Sequence, residues 1–187
     1  MSMTVIEHIE LESDTGVVSF DLSGVQSYTD LMIVMSVRTT ASNPEGISMT
    51  YQFNDSTSGY SARALNGNGS AANSYSVTTS TLDDGTTGGR IGDGFVAPSG
   101  YTADTFSNCS WYIPNYTGSS AKSWSFDAVS ENNSTTADQE IIAGLWTGTD
   151  AITKIDVSVS GTRDFAALSS FTIYGITAGS SGGVTVS

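Results

Sequence analysis

The sequence predicts an all-β protein, and three observations carry that expectation. Apolar and polar residues alternate with period two in many short segments, as in Val18-Ser19-Phe20-Asp21-Leu22. Glu and Lys, which decorate surface helices, are scarce, whereas 55 of the 187 residues are Ser or Thr. No apolar stripe at helical spacing runs longer than about two turns. Many short strands without intervening helices imply a β-sandwich, a jelly roll or a barrel.

The strands follow in order along the chain. Val5–Leu11 opens it, and Val17–Leu22 alternates cleanly. Leu31–Val37 begins apolar on both faces, as a central strand does. In Ile47–Phe53 the residues Ile47, Met49, Tyr51 and Phe53 alternate with Ser48, Thr50 and Gln52, the pattern of a half-buried strand. Tyr60–Leu65, Tyr75–Thr81, Phe106–Ile113, Ser123–Val129, Glu140–Thr147, Ile152–Val159 and Phe171–Ile176 complete a set of about eleven. Asn43-Pro44-Glu45-Gly46, Asn66-Gly67-Asn68-Gly69 and Asp83-Asp84-Gly85 carry the turn chemistry between antiparallel strands. Residues 86–100 read as a long Gly-rich loop with room for one short strand. Residues 1–187 make one domain, in which 1–11 is an N-terminal arm or an added strand.

Charge narrows the partners. Six Lys and Arg against nineteen Asp and Glu leave a formal charge of −13. The six bases are scattered singly, so phosphate-rich partners are disfavoured and neither nucleic acid nor an anionic membrane face is expected. No apolar run approaches the roughly 20 residues of a membrane helix. Met1–Ser13 carries three Glu and no base, unlike a signal peptide, so synthesis in a host cytoplasm is expected.

The catalytic inventory is thin. A Ser-His-Asp or Cys-His arrangement would depend on His8, the single histidine, and no G-x-S-x-G is present. Cys109, the single cysteine, has no intrachain partner and reads as a small buried side chain. Zinc and iron sites fail on ligand count, and no cofactor is expected. Calcium has the better case: Asp83, Asp84 and Asp93 lie in oxygen-rich Gly loops, although neither loop has EF-hand or nonapeptide spacing. No carboxylate pair stands out for glycoside hydrolysis. A non-enzyme is the expectation.

Four segments, in order, resemble a group of small β-rich virion proteins of tailed phages. Tyr60 to Ser70 is similar to their tyrosine–arginine–leucine strand with its G-N-G-S turn. Phe106 to Thr117 resembles an apolar strand ending in I-P-N-Y, and Gly144-Leu145-Trp146 with Ala151 to Ile155 resembles their G-L-W and A-I-T-x-I strands. Ser169 to Ile176 resembles the closing S-x-F-x-(I/L)-Y-G-I strand. The four cover about a third of the chain; residues 1–11 and 86–100 match nothing in the group. The resemblance implies a jelly-roll-type antiparallel β-sandwich, and a capsid decoration (cement) protein on the outer surface of the virion head. Its partners would be the major capsid protein shell and itself, as a homotrimer. The alternative is a tail-associated receptor- or carbohydrate-binding jelly-roll module, which needs an exposed aromatic shelf.

A trimer triples the acidic charge, so its contacts must be nearly uncharged or seated on Lys and Arg. Candidate interface residues are Val5, Ile6 and Ile9 of the N-terminal segment, Arg38 and Arg63 among the bases, and Tyr174 in the last strand.

Overall fold

A computed structural model describes residues 2–42, 47–92, 95–131 and 137–177. Thirteen strands form two antiparallel sheets, and no helix occurs among the described residues. The strands are β1 (Ser2–Glu10), β2 (Val17–Asp21), β3 (Asp30–Val37), β4 (Met49–Phe53), β5 (Tyr60–Gly67), β6 (Ala72–Val77) and β7 (Thr79–Thr81). They continue as β8 (Thr87–Ile91), β9 (Ser107–Ile113), β10 (Lys122–Glu131), β11 (Ala137–Trp146), β12 (Lys154–Val159) and β13 (Ser170–Thr177). One sheet has the order β1-β13-β3-β9-β10-β11-β5-β6, the other β2-β12-β4-β8-β7. Their inner faces share one hydrophobic core, which makes the molecule a β-sandwich.

Each of the eleven expected strands lands on strand structure, and two differences raise the count. The segment Tyr75–Thr81 is two strands: Thr78 separates β6, in the larger sheet, from β7, in the smaller. Alternation continues through such a corner, so periodicity alone does not reveal it. Within 86–100, residues Thr87–Ile91 form β8 between β4 and β7. Its Gly88 and Gly89 hide the strand pattern: side chains there would strike the Tyr51 carbonyl and the Tyr51 ring at 2.3 and 2.4 Å. The turn residues 43–46 lie outside the described residues.

Residues 2–10 form an added strand rather than a free arm. β1 pairs antiparallel with β13, from Ser2–Thr177 to Glu10–Ser170, with a register shift between Val5 and Glu7. Ile6 and Ile9 are partly buried against the core, so neither is available to a neighbour as a free apolar side chain.

β4 departs from its expected pattern, because all five of its residues are buried. Leu82, itself buried, packs beside Gly88 and Gln52 on the outer side of the small sheet. Gln52 Nε2 donates to the Thr87 carbonyl at 2.7 Å, and the Asp83 N–H donates to Ser158 Oγ at 2.9 Å. The β7–β8 connection is therefore a strap over that face.

Six aromatic rings fill the centre of the core: Tyr51, Phe53, Tyr60, Trp111, Trp124 and Trp146. Trp124 Nε1 donates to the Tyr51 hydroxyl at 3.0 Å. Gly144, its cross-strand partner, leaves room for the indole, since a Cβ there would sit 2.0 Å from the ring.

Candidate interaction surface

The outer face of the eight-stranded sheet sets exposed apolar side chains among hydroxyl-bearing ones. Strand register builds it from cross-strand rows. One row runs Val5, Tyr174, Met32, Tyr112, Ser125, Ala143, Arg63, Ser76. The next runs His8, Thr172, Val34, Ser110, Asp127, Ile141, Leu65, Ser74, and a third runs from Glu10 through Asn108 and Val129 to Ala72. Across these three rows the charged side chains are Glu10, Asp127 and Arg63, and Asp30 and Glu131 stand on the same face just beyond them. Exposed Val5, Val34, Leu65, Val129 and Ile141 lie among Ser, Thr and Asn.

Three of the six expected interface residues thus share one row. Val5 is 54% exposed and lies directly beside half-buried Tyr174; Arg63 sits six strand spacings away, about 29 Å. The exposed Arg63 guanidinium has one hydrogen bond here, to the neighbouring Ala62 carbonyl at 2.9 Å. Around it three adjoining shallow grooves of about 300, 280 and 170 Å³ are bordered by Leu65, Ile141, Ala143 and Leu145.

Arg38 is a correction. It is buried, and its guanidinium donates to the carbonyls of Ser99, Tyr101, Thr102 and Thr105 at 3.1, 3.2, 2.9 and 2.6 Å. It is an internal pin for that loop and presents nothing to a partner. Lys122 works similarly on the carbonyls of Gly118 and Ser120 at 2.7 and 2.6 Å, and burial lowers its pKa. Backbone carbonyls, rather than carboxylates, hold these two cations.

The calcium candidates do not converge. The Asp84 carboxylate accepts from the Thr86 N–H and hydroxyl at 2.9 and 2.6 Å, an Asx turn that lowers its pKa. The Asp83 carboxylate occupies the space a side chain at Gly16 would need. Asp93 lies outside the described residues. Among the described residues no three His, Cys, Asp or Glu side chains are grouped to hold a metal ion.

A recess of about 540 Å³ lies at one end of the small sheet and is lined by Ser19, Asp21, Asn54, Asp55, Thr153 and Lys154. Lys154 Nζ bridges Asp55 and Asp156 at 2.6 and 2.9 Å, bonds that raise its pKa and keep it charged. The Asn54 side chain accepts from the N–H groups of Thr153 and Lys154 and donates to the Ala151 carbonyl. Its polar groups are spent on holding loops together. The three Trp are buried, and the Tyr rings on the outer face of the large sheet, Tyr112 and Tyr174, are half-buried on either side of Met32.

His8 is exposed, with Nδ1 2.7 Å from the Thr172 hydroxyl, and has no nucleophile beside it among the described residues. Cys109 is fully buried, which pushes its thiol pKa up. The sequence reading missed Glu140, a fully buried carboxylate that accepts from the Tyr75 hydroxyl. Its shared parity with Ile142 and Trp146 along the segment is the signal the sequence offered. No family model, curated protein or solved structure matches the chain significantly.

Proposed function

We propose that the protein is a structural component of a tailed-phage virion. In this reading it is a decoration protein, of jelly-roll type, that seats as a homotrimer on the outer surface of the head shell and stabilises the major capsid protein lattice. It is not an enzyme. The observation that carries the reading is the broad outer face of the eight-stranded sheet, where exposed Val, Leu and Ile stand among hydroxyl-bearing side chains. An acidic chain packs most easily against copies of itself or a shell where apolar side chains interrupt its charge, or where the partner offers Lys and Arg. A broad sheet with exposed Val, Leu and Ile is a surface that association would bury. The four-segment resemblance to phage virion proteins points the same way. A tail-borne carbohydrate-binding module fits less well, because all three Trp are buried in the core and the polar recess is internally bonded.

Antibody against this chain, applied to negatively stained virions, tests the reading. Dense label over the head, at hundreds of copies, is the expected result. A few copies at the tail tip would favour the tail module, and unlabelled particles would overturn both.

A further inference from the structure

Two Asn-Gly pairs follow one another at the β5–β6 hairpin, Asn66-Gly67 and Asn68-Gly69, and the fold holds them differently. Asn66 and Gly67 belong to β5. Asn66 is paired with Glu140 on one side and Asn73 on the other, and Gly67 with Gln139 and Ala72. Asn68 and Gly69 form the exposed tip, where Gly69 has a φ of 80°, in the region that favours glycine. Asn68 Oδ1 accepts from the N–H groups of Ser70 and Ala71 at 3.0 and 2.9 Å, and the Asn68 N–H donates to the Ala71 carbonyl at 3.3 Å. Neither the Gly69 N–H nor Asn68 Nδ2 has a hydrogen bond among the described residues.

We propose that Asn68 is a site of spontaneous deamidation, while Asn66, with the same Asn-Gly chemistry, is protected by its strand. The Gly69 amide loses its proton to hydroxide, and the amide nitrogen attacks Asn68 Cγ. A C–N bond forms, the Cγ–Nδ2 bond breaks, and ammonia leaves with a proton taken from water, which gives a five-membered cyclic imide. Water then opens the imide at either carbonyl. One opening yields aspartate, the other isoaspartate, in which the main chain runs through the former side-chain carbonyl carbon. Overall one water is consumed and one ammonia released, with no oxidant or reductant. Either product carries one new carboxylate, so the net charge of −13 becomes more negative by one.

Three features of the tip favour the reaction. Gly69 has no Cβ to obstruct the approach of its nitrogen to Cγ. The two N–H groups on Asn68 Oδ1 polarise the carbonyl and are already in place for the negative charge that grows on this oxygen in the tetrahedral intermediate, as in an oxyanion hole. The attacking and leaving nitrogens hold no hydrogen bond that must first break. At Asn66 the same ring closure would turn the backbone out of its extended conformation and disrupt pairing to β11 and β6, so local opening must come first. The products differ in their effect on the hairpin. Aspartate keeps both acceptor bonds, whereas isoaspartate adds a main-chain carbon that the Gly67–Ala72 register has no room for. The new carboxylate stands at the hairpin that carries exposed Leu65 on the outer face of the large sheet. This chemistry does not depend on whether the chain sits on a virion.

The experiment ages the full-length chain at neutral and at mildly alkaline pH, folded and in unfolding urea. Trypsin then releases Ala64–Arg90, which holds both Asn-Gly pairs, and fragmentation in a mass spectrometer assigns the converted residue. In the folded chain Asn68 is expected to convert at least about tenfold faster than Asn66, because Asn66 waits on local opening. Aspartate and isoaspartate should both appear at Asn68, and the rate should rise with pH because the nucleophile is the amide anion. In urea the two residues should convert at similar rates, with Asn68 no faster than in the folded chain. Asn66 and Asn68 converting together in the folded chain would overturn the proposal. So would a folded Asn68 that reacts more slowly than the unfolded one, or a rate indifferent to pH.

Discussion

At the scale of single residues, the cations behave differently from what their scattered placement suggests. Arg38 has no acid within six positions in sequence, yet it is buried and fully engaged by four carbonyls. Removing its charge leaves those carbonyls without a donor, so Arg38→Met should cost about 2–4 kcal/mol, read as a lower urea midpoint. A drop under 0.5 kcal/mol would show that the loop does not need the pin. Two of the three tryptophans also separate. Trp124 donates to Tyr51, whereas buried Trp111 Nε1 has no partner here. Both Phe substitutions create space, but only Trp124→Phe removes a hydrogen bond, so it should be the more destabilising by about 1 kcal/mol. Equal losses in chemical denaturation would contradict this.

Tyr60 extends the same logic to pH. Burial pushes its hydroxyl up to about 12, from an ordinary value of 10.0, although the Phe53 N–H and the Ser56 carbonyl both bond it. Between pH 10 and 12 the unfolded chain releases this proton and the folded one retains it. Stability therefore holds below about pH 10 and falls as pH rises toward 12. Tyr60→Phe should flatten that fall in melts taken from pH 9 to 12, and an unaltered slope would assign it elsewhere.

Among the elements, the strap between β7 and β8 shows what Asp-rich turns do in this chain. Asp84 bonds both the N–H and the hydroxyl of Thr86, which holds the turn that carries Leu82 over the small sheet. Asp84→Ala should lower stability by about 1 kcal/mol, and by the same amount with and without chelator, because the carboxylate serves the turn. A loss that disappears on adding chelator to wild type would restore the calcium reading. The elements also explain which strands were legible. β10 and β11 alternate for ten residues with one face buried, so their pattern is unambiguous. β8 is Thr-Gly-Gly-Arg-Ile, where close backbone approach requires glycine and erases the alternation. The β6–β7 corner retains alternation while the chain changes sheets at Thr78.

At the scale of the whole molecule, the proposed function sets a net charge of −13 beside a face with exposed Val, Leu and Ile. If association with a shell or with further copies uses that face, apolar burial supplies most of it, so raising NaCl from 50 to 500 mM should weaken it less than about fivefold. A loss of a hundredfold or more would mean that charge, rather than apolar burial, supplies the contact.

Composition and periodicity by themselves determined the all-β class, the positions of eleven strand segments and the poverty of catalytic groups. Those properties are local, because period-two patterning and turn residues act within a few positions of each other. Only the tertiary structure decided that Val5, Tyr174 and Arg63 share a row while Arg38 is sealed inside. Residues more than a hundred positions apart become neighbours through strand order and register, and Ile173 opposite Ile33 opposite Trp111 is a pairing no local pattern contains. The apolar side chains exposed on the large sheet are likewise scattered along the chain, because each strand contributes only a few outward residues to that face.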